Sequence, residues 1–452
     1  MQQTYEQRKN ALINEFAKIR KRGSVALGKS TTNEFRFREK RQRQRLNVRQ
    51  MNHVLSVNSE TQTAEVEGMT RYDNLVATTM KQLVVPAVTP ELKSITVGGA
   101  TSGIGIESSC FRYGFVHETM KELDVLTGKG EVLTCSPTKN SDLFYAIPNS
   151  YGTLGYVLRA AVHLHPAKPF VETQRMRFSD YDEYVKAIAQ EAANAKHSGE
   201  WDFIDGLIFS PSEMYLNWAK FVDEIPQRFE LGDYTKEVFY KSVREKIRDF
   251  TTTENYLFRY DPDYFWTTQS MGLESDPLRS IFRSLGLQRS DVYRKIIGFA
   301  NRHGITDKLN TLRGEKLETF IQDAEVPAHQ AADFLNWFHE NITAHRPLTI
   351  GPVIPYSPTA NFPLFPMDPE EVYMNIGYYA TVPSDKPEGY YNKLFEQKLL
   401  EIGAKKMMYS SSFYTPDEFW QTFDRQTYEA LKARYDPDEV FPGLYEKCVL
   451  KE

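Results

Sequence analysis

The spacing of apolar residues in the first 166 positions changes between two periods. Apolar residues recur every three or four positions in 5–22 and 72–83, which predicts two amphipathic helices. Alternating runs and a Thr127-Gly-Lys-Gly130 turn predict strands and hairpins at residues 53–57, 63–66, 119–126, 131–134 and 156–165. Because helices lie between strand pairs, this part of the chain is expected to be α+β.

A second segment follows Pro166-Ala-Lys-Pro169, which has the composition of a linker. Helical spacing returns beyond it at 181–195 and 331–342. Strand patterns occur at residues 203–209, 318–327, 348–353 and 372–381. A dense aromatic run at 256–269 fits either a packed core or the wall of a long apolar pocket.

Residues 94–115 contain four glycines within eight positions, directly after the β-rich run Ile95-Thr-Val97. This density is costly inside a helix or strand, so we expect left-handed turns or main chain lying against a flat ligand. Neighbouring hydroxyls suit a phosphate or a polar heterocycle edge, although a plain turn between strands gives the same spacing. Gly28-Lys-Ser-Thr-Thr-Asn33 is a second donor-rich turn that fits a diphosphate cradle or an ordinary turn.

Composition narrows the class of protein. The chain has 452 residues and a net charge of −5, which predicts two or three domains and gives no bias toward nucleic acid. Three cysteines cannot build a disulfide framework, and no metal-ligand spacing occurs, so we expect a reducing compartment and no metal. The sequence shows no signal peptide or long apolar run, and we therefore expect a cytoplasmic protein.

Residues 36–49 carry seven basic side chains and one acid. The acidic balance of the whole chain favours a solvated face for this run. The other interpretation is peripheral contact with an anionic surface such as lipid headgroups.

Several motifs resemble one family. They are Thr96-Val-Gly-Gly99, Gly103-Ile-Gly-Ile-Glu-Ser108, Arg112-Tyr-Gly114, Ser141-Asp-Leu-Phe-Tyr-Ala146 and Gly152-Thr-Leu-Gly155. Together they resemble the FAD-binding PCMH-type domain of the vanillyl-alcohol oxidase superfamily. The later motifs Phe320-Ile-Gln-Asp323, Val372-Tyr-Met-Asn-Ile-Gly377, Met408-Tyr409 and Phe441-Pro-Gly-Leu-Tyr445-Glu-Lys447 resemble its Δ24-sterol reductase branch.

The resemblance implies a two-subdomain FAD-binding domain at 1–166, an α+β substrate (cap) domain with an antiparallel sheet at 167–405, and a C-terminal segment, 406–452, that returns to the FAD domain. It implies FAD, with NADPH as the electron donor. The implied FAD-binding residues are Lys29, Ser30, Thr31, Thr32, Asn33, Pro90, Thr96, Val97, Gly98, Gly99, Ser102, Gly103, Gly105, Ile106, Ser109, Gly152, Gly155, Tyr156 and Val157.

The sequence departs from relatives that attach their flavin covalently. No His or Cys lies in residues 28–33, and Phe111 stands where some relatives have His. The neighbouring Cys110 is expected to be a small packed thiol. We therefore expect non-covalent FAD.

The implied reaction is reduction of a C=C bond in an apolar lipid, a sterol side chain or an acyl chain. Reduced flavin supplies hydride to one carbon, and a general acid must supply a proton to the other. The candidate acids are Tyr409, His117, Glu107 and Asp323, and the candidate substrate-binding residues are Gln322, Asp323 and Asn375.

Each of these residues also has a structural interpretation. Tyr409 fits simple packing on the flavin, and His117 fits a surface pair with Glu118. Glu107 fits acceptance of N–H groups from its own turn, and Asp323 fits the end of a strand. Two further functions stay open at this point: an FAD-dependent oxidase or dehydrogenase of an alcohol, and an inactive flavin- or lipid-binding interaction protein.

Overall fold

A computed structural model of the chain describes residues 3–450 except 30–31, 33–34, 36–42, 306–307, 309–313, 315 and 358–360. Within these residues no helix is both long enough and apolar enough to cross a membrane. Two larger sheets and one small parallel pair of strands organise this part of the chain.

The first half of the fold contains five helices: α1 (Tyr5–Ile19), α2 (Tyr72–Thr79), α3 (Val97–Ser102), α4 (Cys110–Tyr113) and α5 (Ser141–Ala146) among the described residues. Its strands are β1 (Val25–Leu27), β2 (Gln44–Leu46), β3 (Val54–Asn58), β4 (Thr63–Glu67), β5 (Val84–Pro86), β6 (Met120–Leu126), β7 (Val132–Cys135) and β8 (Tyr156–Pro166). The order is β3-β4-β8-β6-β7, with β5 added to β8, while β1 and β2 pair separately in parallel. The predicted hairpins are confirmed, because β3 pairs with β4 and β6 with β7.

The second sheet is antiparallel in every pairing, in the order β12-β9-β11-β10-β14-β15-β13-β16. Its strands are β9 (Phe170–Phe178), β10 (Phe203–Ser210), β11 (Glu213–Val222), β12 (Arg248–Thr252), β13 (Leu317–Pro327), β14 (Leu348–Val353), β15 (Tyr373–Pro383) and β16 (Lys405–Lys406). The helices of this part are α6 (Tyr181–Ser198), α7 (Phe239–Glu245), α8 (Thr253–Leu257), α9 (Thr267–Ser270), α10 (Asp276–Ser284), α11 (Ser290–Arg302), α12 (Ala328–Asn341) and α13 (Tyr390–Glu401).

The two faces of this sheet bury different partners. Helices α6 and α12 cover one face, where Ile188 and Phe334 pack with Phe320 of β13. An aromatic cluster that includes Trp266 and Tyr379 covers the other face. Since successive residues of a strand point to opposite faces, this arrangement decides which β13 side chains can reach the first half of the fold.

The C-terminal helices α14 (Pro416–Thr422), α15 (Arg425–Tyr435) and α16 (Leu444–Cys448) pack on the first half. Their Phe419, Leu431 and Leu444 belong to the same buried cluster as Val66 and Ala160 of the six-stranded sheet. The predicted fold class is confirmed: an α+β FAD-type half, a second antiparallel sheet, and a segment that returns to the first core. The exact domain limits at 166 and 405 stay a prediction.

Candidate functional site

The glycine-rich stretch opens a helix, so it forms neither the left-handed turns nor the plain turn between strands that its spacing allowed. Thr96 is extended at the N-cap position, and α3 follows directly, so Val97 is helical rather than part of a strand. None of the four glycines has a positive φ. Close approach of the main chain is therefore the reason for them, because the Gly98 N–H donates to the Gly68 carbonyl at 2.8 Å.

The glycines serve two kinds of contact. A Cβ on Gly98 would lie 2.9 Å from the Gly68 oxygen, and one on Gly105 would lie 2.6 Å from Val116. These two glycines allow the protein to pack against itself. Gly99 differs, because a Cβ there would meet only the Thr96 hydroxyl within 4 Å, and Gly99 lines both cavities described next.

The larger cavity encloses about 500 Å³ between β1, β2, α3 and the start of β8. Nine of the predicted FAD-binding residues line it: Lys29, Thr96, Gly98, Gly99, Ser102, Gly152, Gly155, Tyr156 and Val157. Its lining also includes Arg43, Arg45 and Lys447, and among the described residues it contains no carboxylate. This cationic wall suits a diphosphate.

The smaller cavity encloses about 160 Å³ and shares Lys29, Thr96, Gly99 and Tyr151 with the larger one. Predicted residues that line it are Lys29, Thr32, Pro90, Thr96, Gly99, Gly103, Gly105 and Ile106. Its far wall is formed by Glu91, Phe265, Asp323, Tyr379 and Tyr409. The two cavities form one elongated site that is cationic at one end and carries phenols and carboxyls at the other.

A carboxyl group between two phenols lies in the smaller cavity. The hydroxyls of Tyr379 and Tyr409 both donate to Asp323 Oδ2, at 2.5 and 2.6 Å. Asp323 Oδ1 is buried and has no hydrogen-bond partner among the described residues. Burial raises the pKa of Asp323 to about 6, although hydrogen bonds from Tyr379 and Tyr409 oppose the shift.

The same environment keeps the phenols protonated. Burial and the adjacent Asp323 carboxyl raise the pKa of Tyr409 well above its ordinary value. The ring of Tyr379 stacks on Phe265 with centroids 4.0 Å apart, which fixes its orientation. Tyr409 is held by its backbone, since its carbonyl accepts from the Phe35 N–H at 2.8 Å. The arrangement can deliver a proton from a tyrosine and replace it from the aspartic acid.

A buried guanidinium joins the two halves beside this cavity. Nη2 of Arg259 lies 2.6 Å from Asp205 of β10, 2.9 Å from Glu107 of the first half, and 3.6 Å from Glu91 in the cavity wall. Arg259 also packs over the Tyr256 ring, 4.5 Å from its centroid. Burial and the nearby Glu107 raise the pKa of Glu91 well above its ordinary value.

Three predicted residues lie elsewhere. Glu107 accepts from the backbone N–H and hydroxyl of Ser108, both at 2.6 Å, as well as from Arg259, which agrees with its structural interpretation. Val97 is packed in the first core, and the Ser109 hydroxyl donates to the Ala87 carbonyl at 2.8 Å. None of these three lines either cavity.

His117 lies in a different place from Tyr409. It is buried rather than paired on the surface with Glu118, and it forms part of a separate 40 Å³ cavity. Its ring stacks on Phe115 and meets Phe362 edge-on at 4.4 Å. Burial lowers the pKa of His117 to about 3, so the ring is neutral. The structure does not bring it to the elongated site.

The substrate-binding candidates separate by strand alternation. Asp323 points into the smaller cavity, but its neighbour Gln322 points to the opposite face and donates to Asn392 at 2.6 Å. Asn375 shares the Asp323 face and donates to Glu325 at 2.8 Å, behind the cavity wall. Of the aromatic run, only Phe265 lines the site, and its neighbours are core residues.

Other predictions fall outside the described residues, namely Ser30, Thr31, Asn33 and positions 36–42 of the basic run. The described part of that run includes Arg43 and Arg45, which line the larger cavity. The sequence-based prediction missed Arg43, Arg45, Lys447, Glu91 and Tyr379. Lys447 is the last residue of a recognised motif but was not assigned to the cofactor site, whereas Tyr379 becomes visible only through the pairing of β13 with β15.

The comparisons with known proteins agree with this geometry. Residues 13–136 match the family model described as FAD binding domain. This match confirms the resemblance noted in the sequence, and the glycine-walled, cationic site agrees with it.

More particular likenesses extend over most of the chain. It is 26% identical to Delta(24)-sterol reductase of Rattus norvegicus over 414 residues, covering 87% of this chain and 75% of that protein. It is 22% identical to Delta(24)-sterol reductase of Arabidopsis thaliana over 436 residues, 87% of this chain and 74% of that protein. A shorter likeness is to Cytokinin dehydrogenase 4 of Oryza sativa subsp. japonica, 33% over 146 residues, 32% of this chain and 27% of that protein.

Proposed function

We propose that this protein holds FAD non-covalently and reduces a C=C bond in an apolar lipid, a sterol side chain or an acyl chain, with NADPH as electron donor. Its likeness to Delta(24)-sterol reductases supports this substrate class. We further propose a cytoplasmic location, and an FAD domain at 1–166, a cap domain at 167–405 and a returning segment at 406–452. The observation that carries the proposal is the placement of Tyr409 and Asp323 in a cavity continuous with a cationic, glycine-walled one.

The residues present fit FAD. Lys29, Arg43, Arg45 and Lys447 offer cations for the diphosphate in the larger cavity. Gly99 leaves room for a flat group, because a side chain there would project into the site. Cys110 and Phe111 line neither cavity, which supports a flavin held without a covalent bond.

FAD, when bound in its reduced form, would supply hydride for one alkene carbon. Tyr409 gives its hydroxyl proton to the other carbon, and the developing phenolate takes a replacement proton from Asp323, 2.6 Å away. This relay requires Asp323 to be protonated, because an ionised carboxylate beside a phenolate would place two negative charges together. Tyr379 holds the Asp323 carboxyl from the other side at 2.5 Å.

Anaerobic mixing of the purified FAD-loaded protein with NADPH tests the proposal. The flavin absorbance band near 450 nm, roughly the wavelength typical of protein-bound flavins, is expected to bleach. Unsaturated sterols and acyl lipids are then added, and the reduced product is identified by mass spectrometry. Bleaching by an alcohol but not by NADPH would favour the oxidase alternative, and no bleaching by either donor would favour an inactive flavoprotein.

A pair of variants tests the assignment of the proton donor. Tyr409→Phe keeps the ring but removes the proton, and product formation is expected to fall by about 100-fold or more, the usual contribution of a general acid. Flavin reduction by NADPH is expected to stay near the wild-type rate, because no proton from Tyr409 enters that step. His117→Gln is the matched control, since His117 lies outside the site. Equal losses in both variants would contradict the assignment.

A further inference from the structure

Helix α10 is turned with its apolar side outward. Its buried residue is Arg279, which donates to Asp263 at 2.5 Å and to the Tyr234 and Glu237 carbonyls at 2.8 and 2.7 Å. The apolar stripe of Leu278, Ile281 and the adjoining Leu285 is 45%, 53% and 64% exposed. The spacing of three and four residues puts this stripe on one side of the helix. Polar anchoring therefore holds α10 in place and leaves its hydrophobic side uncovered.

Helix α11 also carries exposed apolar side chains. Tyr293 anchors it by donating to the Pro262 carbonyl at 3.0 Å. Ile296 and Phe299 lie three residues apart and are exposed, Phe299 by 57%, and Ile305 follows beyond the helix. We call these six exposed side chains the apolar face: Leu278, Ile281, Leu285, Ile296, Phe299 and Ile305.

The charge around the apolar face is strongly basic. Residues 276–305, which hold α10 and α11, contain six arginines or lysines and two acids, in a chain whose net charge is −5. Arg283, Lys295 and Arg302 are exposed, and Asp291 pairs with Arg289 at 3.0 Å. Exposed apolar side chains beside Lys and Arg on short amphipathic helices are typical of segments that lie in a membrane interface.

Helix α11 adjoins the smaller cavity through its side opposite the apolar face. Arg294 of α11 lies over the ring of Phe35, 5.7 Å from its centroid, and Phe35 lines that cavity. Phe35 also stacks on Tyr264 and contacts Tyr409 edge-on. A surface bound to the apolar face is thus separated from the smaller cavity by α11 and the Phe35 ring.

We propose that α10 and α11 dock this protein onto the surface of an anionic phospholipid bilayer, with the apolar face entering the interface and the cations contacting headgroups. Binding requires no turnover, so the docking does not depend on the proposed function. It differs from the earlier interpretation of residues 36–49, whose Arg43 and Arg45 line the larger cavity. Together with the proposed function, it supplies a route by which an apolar substrate reaches the site from a membrane.

Vesicle sedimentation of the FAD-loaded full chain tests the docking. We expect binding to phosphatidylcholine vesicles that contain phosphatidylglycerol, and weaker binding without the anionic lipid or at high salt. Ile281→Glu combined with Phe299→Glu is expected to weaken binding by about tenfold or more, because two apolar side chains that enter the bilayer interface are lost. In the double variant Arg283→Glu with Lys295→Glu, each charge reversal is expected to weaken binding to anionic vesicles by about fivefold or more.

Ile247→Glu combined with Leu450→Glu is the matched control, because it adds the same two charges at exposed apolar residues outside the apolar face. It is expected to bind vesicles like the wild type, and bound-flavin absorbance checks that every variant is folded. Absence of vesicle binding at low salt, or equal binding by all variants, would overturn the proposal. Sedimentation equilibrium gives a further outcome that would overturn the proposal. It would show a dimer that dissociates only in Ile281→Glu/Phe299→Glu and that vesicles do not disrupt, because the apolar face would then join two copies of the chain. NADPH bleaching is scored separately, so failure of docking and failure of the proposed function are distinguished.

Discussion

Replacing Asp323 by Asn removes the one carboxyl that two phenols share in the smaller cavity. The Asn oxygen can still accept from Tyr379 and Tyr409, so the geometry is expected to persist while the titration disappears. Burial raises the pKa of Asp323 from its ordinary value of 3.8 to about 6. The folded chain therefore holds this proton more tightly than the unfolded chain does.

The sign and size of the effect follow from that shift. Stability from the bound proton is fully present below pH 3.8 and is lost as the pH rises through 6. Two pK units correspond to about 3 kcal/mol in total, of which roughly half, about 1.5 kcal/mol, is lost between pH 5 and pH 8. The protonated fraction of Asp323, and with it proton delivery to the product, falls about tenfold per pH unit above 6.

Urea unfolding at pH 5 and pH 8 measures the first effect, and the pH profile of product formation measures the second. Wild type is expected to lose about 1.5 kcal/mol more than Asp323→Asn between the two pH values. Asp182→Asn, which removes an exposed carboxylate on α6, is the control and should follow the wild type. Parallel pH dependence in wild type and Asp323→Asn would refute the assigned pKa. A flat product profile across pH 6 would refute the relay.

Three other changes give distinct outcomes. Arg259→Met leaves buried carboxyls without their cation and is expected to lower the free energy of unfolding in urea by about 3–5 kcal/mol. A loss below about 1 kcal/mol would show that the cluster relaxes. Gly99→Leu puts a side chain into the site and should lower the FAD affinity measured by flavin fluorescence, whereas Gly351→Leu, at a glycine outside both cavities with open space around it, should not. Arg45→Met should weaken FAD binding and reduce its salt dependence, whereas Arg49→Met, in the same basic run but outside the cavity, should leave both unchanged.

The sequence predicted the elements well where one face of a helix or strand is buried. The hairpins around residues 58–63 and 127–131 follow from alternation and turn residues, and the structure has them. The expectation that the glycine-rich stretch is not helical was wrong, because it considered the entropy cost of glycine without its tertiary contacts. Close approach of Gly98 to Gly68 joins distant parts of the chain, and no local pattern contains that contact.

The site was predicted only in part for a similar reason. Alternation on β13 implies that Gln322 and Asp323 cannot both face one cavity, but the sequence does not say which one does. Tyr379 reaches Asp323 because β13 pairs with β15 in a particular register, with Asp323 opposite Gly377. His117 follows a recognised motif, yet the chain turns it into a separate apolar pocket. Nearness to a motif in the sequence therefore did not predict which side chains reach the site, because strand register and packing determine that.

The shared core of the first sheet has a consequence for biosynthesis. Phe419, Leu431 and Leu444 leave the ribosome hundreds of residues after Val66, yet they complete the same hydrophobic cluster. Until they emerge, we expect the nascent first half to expose an apolar surface that is prone to aggregation. Fragments released early in translation are then expected to be substrates for proteolysis.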